Sequence, residues 1–271
     1  MGPLTAAAPP RGSHFGRTSR WLWAYYWLLL ALLFLPIALL MLFAVNANTT
    51  LAFPLRGLTL DWFAKVLSTP ALLRSAGNSL LVAAGSSIVA TLLGTGVAIL
   101  FVRFRFRARW LLLGLSVLPL IVPFVVLAGA LLVLFRAFDI DRSLLTVGVA
   151  HVMIGLPFVV LIMLARLIGF DAQVEEAAMD LGATYPAALR LVVLPAIAPA
   201  MIAAGLTAFT VSFDEFALAL FLVGREPTFP VYLFGQLRFT TTLPVMIAMA
   251  VLLMAATLAL LIVAERVRRA R

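Results

Sequence analysis

Apolar residues along the chain collect in six long runs, at 21–45, 75–102, 111–135, 144–167, 200–223 and 243–264, and the charges gather in the segments between them. A hydrocarbon layer roughly 30 Å thick is crossed by about 20 apolar residues in a helix, so the pattern predicts six membrane-spanning helices. In the second run Ser86, Ala90, Gly94 and Ala98 stand four apart. Such a row lets another helix approach backbone to backbone, and in lipid it is packing that holds helices together. This helix is therefore expected at the centre of the bundle. Pro119 and Pro123 in the third run and Pro157 in the fourth predict kinked or locally opened helices. Between the first two runs, "LTLDWFAKVL" carries an apolar face at helical spacing and predicts a short interfacial helix with Trp62 and Phe63 at headgroup depth. The first run is well beyond the roughly 7–15 apolar residues of a secretory signal, which favours an uncleaved first helix. No internal repeat of the kind found in many secondary transporters is visible.

Composition agrees with a bilayer as the solvent: 64% of the 271 residues are hydrophobic and 11% charged. The runs use up nearly the whole length, leaving no room for an independent soluble enzyme domain. Net charge is +9, and its distribution gives the orientation. With the amino terminus inside, thirteen of the twenty basic residues fall on the cytoplasmic side, so the positive-inside rule puts both termini in the cytoplasm. The run "RFRFRAR" at 103–109 reads as a short loop held at the anionic inner leaflet and not as a nucleic-acid ribbon. There is no cysteine, which excludes disulfides and thiolate metal sites. No glycine-rich phosphate-binding loop of the Lys-Ser/Thr type occurs, so any ATP must be hydrolysed by another chain. Nor is there a Gly-x-Ser-x-Gly turn for an intramembrane hydrolase.

The polar segment "EEAAMDLGATYPAALRLVVLPAIAP", 175–199, interrupts this pattern. Helix formers with acids in the first turn predict a short helix over 175–181. Gly182 is placed to end it, because glycine adopts the left-handed conformation a helix stop requires. Thr184 is a candidate cap for a second short helix with Pro186 in its first turn, closed by Pro195. The expected product is two short helices at a sharp angle on the cytoplasmic side, with Ala177, Ala178 and Ala183 as a nearly bare surface suited to close docking.

The arrangement Glu176-Ala177-Ala178, three residues, Gly182-Ala183, ten residues, Leu194-Pro195, three residues, Pro199 resembles the signature cytoplasmic loop of binding-protein-dependent ABC importer permeases. Leu189 and Val192 depart from the usual aromatic and isoleucine but stay apolar. The resemblance implies an all-α polytopic membrane protein with six transmembrane helices and a type I importer permease-like core at 71–264. It implies a cytoplasmic tail at 1–20, a first helix at 21–45, a coupling loop at about 169–199 and a basic tail at 265–271. Glu175, Glu176, Ala177, Ala178, Asp180, Gly182, Ala183, Leu194, Pro195 and Pro199 become the residues seated on a cytoplasmic ABC ATPase dimer. The acids among them are suited to meet basic residues there. The chain itself would bind no cofactor or metal, ATP and Mg being held by the ATPase. A second permease subunit, a periplasmic binding protein and the bilayer complete the implied partners, in the bacterial inner membrane and without nucleic acid.

The fifth run contains "TAFTVSFDEFALALF", which places Asp214 and Glu215 roughly 21 Å up a straight helix, inside the hydrocarbon. A charge there costs at least about 2.5 kcal/mol and normally faces a partner or a watery cavity. Thr207, Thr210 and Asp214 fall on one face as a polar stripe able to line a translocation path, while Ser212 and Glu215 point elsewhere, to another span or a second subunit. These acids equally suit an interhelical hydrogen-bond network. The string "SFDEF" resembles the second permease subunit of spermidine and putrescine importers, which makes a polyamine the leading solute and a heterodimer the favoured assembly. It also resembles branches that import aminoethylphosphonate or other small polar solutes. An ion-coupled secondary transporter using Asp214 or Glu215 is the alternative class. His151 reads as a packing residue.

Overall fold

A computed structural model describes residues 15–49 and 51–269, with side chains described over 21–49 and 51–259. Residues 1–14 of the expected amino-terminal tail and 270–271 of the basic tail lie outside the described residues; 15–20 join the first helix. The helices are α1 (Phe15–Ala44), α2 (Asp61–Leu67), α3 (Pro70–Arg103), α4 (Arg109–Val117), α5 (Phe124–Ala137), α6 (Leu144–Ile168), α7 (Ala172–Asp180), α8 (Tyr185–Ala188), α9 (Leu194–Phe213), α10 (Ala217–Leu222), α11 (Phe229–Gln236) and α12 (Leu243–Arg269). Among the described residues the only β feature is an antiparallel bridge between Asn46 and Leu58.

Four helical stretches are long and apolar enough to cross a membrane, Trp21–Ala44, Pro70–Arg103, Leu144–Ile168 and Tyr185–Phe213. A fifth is the pair Arg109–Leu120 and Phe124–Ala137, bent by 109°. The bend falls where Pro119 and Pro123 were expected to open the third span: α4 tightens into a 3₁₀ turn at Leu118–Leu120, and α5 begins directly after Pro123. Pro157, by contrast, sits inside an unbroken α6. The sixth expected span corresponds to α12, whose apolar stretch is Leu243–Ala259 among residues with described side chains. Among the described residues the long apolar spans thus number four, or five with the broken one, and the sixth expected span has only this shorter apolar stretch.

The described residues form two compact units, one drawn from those up to Val66 and from Phe239 onward, the other from Leu67–Arg238. In the first, α1 packs with α12. Its loop is pinned by Trp62, whose indole Nε1 donates to the Asn46 carbonyl at 2.7 Å. Trp62 is 7% exposed, so it anchors the loop to its own chain and is not offered to lipid headgroups as the sequence suggests. An indole is large and apolar with one donor, and burial against a carbonyl satisfies both properties at once.

The second unit is built round α3, α6 and α9. One core joins Ala90, Ala98 and Ile99 of α3 to Val159, Val160 and Met163 of α6 and to Ile197, Ala204 and Ala208 of α9. Another joins Val82 of α3 and Ala128 and Leu131 of α5 to Val147, Ala150 and Ile154 of α6 and to Leu218 and Leu222 of α10. Ser86, Ala90, Gly94 and Ala98 are all buried, which places α3 centrally, as their spacing predicts. A Cβ added at Gly94 would lie 2.6 Å from Val159 Cγ1 and 2.8 Å from Val159 Cβ. Rotating the valine moves only the first of these atoms. Gly94→Ala is therefore expected to lower the melting temperature of the detergent-solubilised protein, overpacking of this kind costing about 1–3 kcal/mol. Gly155→Ala, whose Cβ would stand 3.3 Å from Ala208 Cβ, is expected to cost less. Equal melting temperatures for the two variants would contradict the close seam between α3 and α6.

Candidate functional site

The polar segment folds as an elbow with a sharp stop. Asp171 caps α7, its Oδ1 accepting the Gln173 N–H at 3.0 Å. At the other end Gly182 has φ +93°. The Gly182 N–H reaches the Met179 carbonyl at 2.9 Å and the Ala183 N–H the Ala178 carbonyl at 3.1 Å. Those are the two bonds of a Schellman stop, and its left-handed position costs an L side chain about 1–2 kcal/mol. Pro186 then falls in the first turn of α8, as expected, though the Thr184 side chain makes no capping bond.

The second short helix does not close at Pro195. From Leu189 to Val193 the chain widens into a π turn, the Leu194 N–H reaching back to the Leu189 carbonyl, and it continues directly into α9. Proline lacks an N–H and is tolerated in a helix's first turn, where that donor has no intrahelical partner; the wide turn resets the register so that Pro195 occupies this position. The elbow is thus one short helix, a glycine stop and one long helix.

Glu176, Ala177, Asp180, Gly182, Pro195 and Pro199 are exposed, and Ala178, Ala183 and Leu194 are half-buried. Glu175 departs from this set. It is 5% exposed, with Oε2 3.0 Å from Nε of Arg103, the last residue of α3. The carboxylate expected to meet a partner's basic residues is turned onto its own chain. The nitrogen and oxygen are at ion-pair distance, yet neither atom completes a well-aligned hydrogen bond. Exposed apolar residues also flank the stop, with Leu181 90% exposed.

The second group of residues lies at a break in the fifth span. Helix α9 ends at Phe213, and α10 begins only at Ala217, so the straight helix assumed from the sequence is interrupted at the acids themselves. Glu215 accounts for the break. Its two carboxylate oxygens accept the Leu218 N–H at 3.0 and 2.9 Å, and one of them accepts the Ala219 N–H at 3.2 Å, which satisfies donors at the start of α10. His151 Nε2 lies 3.4 Å from Glu215 Oε2, and His151 Nδ1 lies 2.7 Å from Ser212 Oγ. Ser212 Oγ in turn is 2.9 Å from Ser86 Oγ. All four residues are buried. Ser212 and Glu215 do point to other spans, and His151 is the hinge of a polar chain joining α3, α6, α9 and the break, not a mere packing residue. Ser86 belongs to it as well, where sequence spacing shows only a small residue.

Thr210 and Asp214 are exposed and Thr207 half-buried, on the face away from this network. The Thr207 and Thr210 hydroxyls donate to the carbonyls of Ala203 and Leu206 at 3.0 and 2.9 Å, leaving their oxygens able to accept. Three of the four residues marked for the solute path therefore share a surface, and Glu215 lies behind it. A separate cavity of about 840 Å³ opens where α6 begins, lined by Arg136, Asp141, Arg142, Arg225 and Glu226 among others.

Residues 90–271 match the family described as binding-protein-dependent transport system inner membrane component. The chain is 31% identical over 240 residues to the spermidine/putrescine transport system permease protein PotC of Escherichia coli strain K12, covering 88% of this chain and 90% of that one. It is 36% identical over 225 residues to the putrescine transport system permease protein PotI of the same strain, covering 80% of each. A chain from the crystal structure of a bacterial ABC transporter involved in the import of the acidic polysaccharide alginate superimposes with TM-score 0.70 at 14% identity, covering 95% of this chain and 99% of that one. That last likeness is one of fold.

Proposed function

Because the chain belongs to the binding-protein-dependent transport system inner membrane components, a multi-pass permease subunit with ATP hydrolysed on a separate chain, we propose that it carries a polyamine inward. It does so by alternating access, in a heterodimer with a second permease. Both termini face the cytoplasm, following the basic residues. The observation that carries the coupling role is the exposed elbow, in which an apolar residue as bare as Leu181 sits among Glu176, Ala177, Asp180 and Gly182. A protein surface of this kind, apolar at its centre and acidic round it, suits docking into a groove with basic walls. Closure of two nucleotide-bound ATPases would carry the elbow with it and rock the spans between inward-open and outward-open arrangements.

The solute class follows the named relatives and the stripe of Thr207, Thr210 and Asp214, whose oxygens are acceptors suited to ammonium groups. Glu215 holds the break that presents Asp214. The cavity where α6 begins sets three arginines beside Asp141 and Glu226 and does not by itself select cations, and aminoethylphosphonate is therefore the comparison solute. The test is uptake into proteoliposomes holding this chain with its ATPase and second permease, with the binding protein outside. ATP-dependent uptake of labelled putrescine or spermidine is expected. Uptake driven by an ion gradient alone would overturn the coupling role, and ATP-dependent uptake of aminoethylphosphonate in preference to polyamines would overturn the solute class.

A further inference from the structure

We infer that Arg103 and Glu175 form an internal strut that transmits elbow movement to α3, making both positioning residues for transport and neither a contact for the ATPase. The inference rests on the coupling role proposed for the elbow. Three observations carry it.

The pair is nearly dry, with side chains 15% and 7% exposed at an N–O separation of 3.0 Å. A buried ion pair is weak as a stabiliser, because the desolvation of two charges offsets most of their attraction, but it is strongly resistant to losing one partner. That combination makes a contact that holds two elements in one register.

Its neighbours brace the same joint. The Arg103 guanidinium stands over the Phe170 ring at 5.8 Å, at the chain's entry to α7. Phe104, next along from Arg103, meets Tyr185 edge-on at 5.6 Å, at the start of α8. The end of α3 thus touches the segments before α7, within it and after the glycine stop.

The element receiving the strut is the central one. Covalent connections lead from the elbow to α6 on one side and through the π turn to α9 on the other. Helix α3 has no chain connection to the elbow, and it packs along both α6 and α9. Without a contact at its end, α3 would follow the elbow only through its side-on packing. With the strut, all three core helices move with the elbow.

Arg103→Gln and Glu175→Gln are to be compared with the exchanged double variant Arg103→Glu/Glu175→Arg in the reconstituted transporter. Co-purification with the ATPase is expected to persist in all three, since Glu175 is turned away from the exposed face. Solute moved per ATP hydrolysed is expected to fall about tenfold or more in the single variants, a loss of ~1.4 kcal/mol of coupling, and to recover in the exchanged one. Wild-type coupling in both single variants would overturn the inference, as would an exchanged variant that reaches the membrane and hydrolyses ATP without transport. Should the single variants fail to accumulate, Arg103→Lys is read instead. It keeps the opposite charges, so coupling close to wild type supports the ion pair as the strut, and a variant that hydrolyses ATP with coupling lost overturns it. Failure of the wild-type chain to hold the ATPase would instead sink the elbow's proposed role, a result the co-purification arm registers separately.

Discussion

Replacing Gly182 by arginine is expected to abolish co-purification of the ATPase while leaving the membrane helices folded. Two effects act at this position. The backbone is left-handed, which costs any L side chain about 1–2 kcal/mol whatever its size. The side chain then projects from the exposed end of α7, and a Cβ built there meets no atom of the chain within 4 Å. The damage therefore falls on the turn and on whatever seats against it, not on the core. Blocking the centre of an interface costs about 2 kcal/mol or more, roughly a thirtyfold loss of affinity. Gly182→Ala separates the two effects, since it introduces the strain with almost no bulk and is expected to weaken association by about thirtyfold at most and by less than Gly182→Arg does. Pull-down of the ATPase measures the first quantity, and thermal unfolding in detergent measures the second. Normal association for Gly182→Arg would remove the elbow from the docking surface.

Asp214→Asn is expected to suppress polyamine uptake while ATPase association and melting temperature stay close to wild type. Asp214 is exposed at the end of α9, and in the described structure its carboxylate serves none of the bonds that hold the break; those belong to Glu215. Removing one charge-assisted contact to an ammonium costs about 1.5–3 kcal/mol, roughly ten- to 150-fold in uptake at low solute concentration. Glu215→Gln should behave differently. It weakens the cap on α10 and leaves His151 without its carboxylate, so lower melting temperature is expected alongside lost uptake. Equal loss of stability in both variants would refute this division of labour between neighbouring acids.

What the sequence makes legible follows from the solvents involved. Hydrocarbon forces long apolar runs, so α1, α3, α6 and α9 fall where the runs are. The stop at Gly182 is legible because few residues tolerate a left-handed backbone, and the family resemblance follows from the same glycine with its alanines and prolines. Contacts between remote residues are a different matter. Nothing local to Glu175 announces Arg103, and an acid in a first helical turn looks equally suited to solvent, to a partner or to an internal cation. His151, Ser86 and Ser212 each read as unremarkable alone; they acquire meaning only when α3, α6 and α9 bring them within hydrogen-bond distance. The continuation through Pro195 was hidden for a related reason, because a proline marks a helix start as readily as a stop, and the wide turn before it decides between them.

That continuation has a mechanical consequence. Tyr185–Phe213 is one helical rod of 29 residues. Residue 200 divides it into arms of roughly 22 Å toward the elbow and about 20 Å toward the break. Such a beam pivoting near its middle is a seesaw with nearly equal arms, so a push on its elbow end swings Asp214 about as far in the opposite direction.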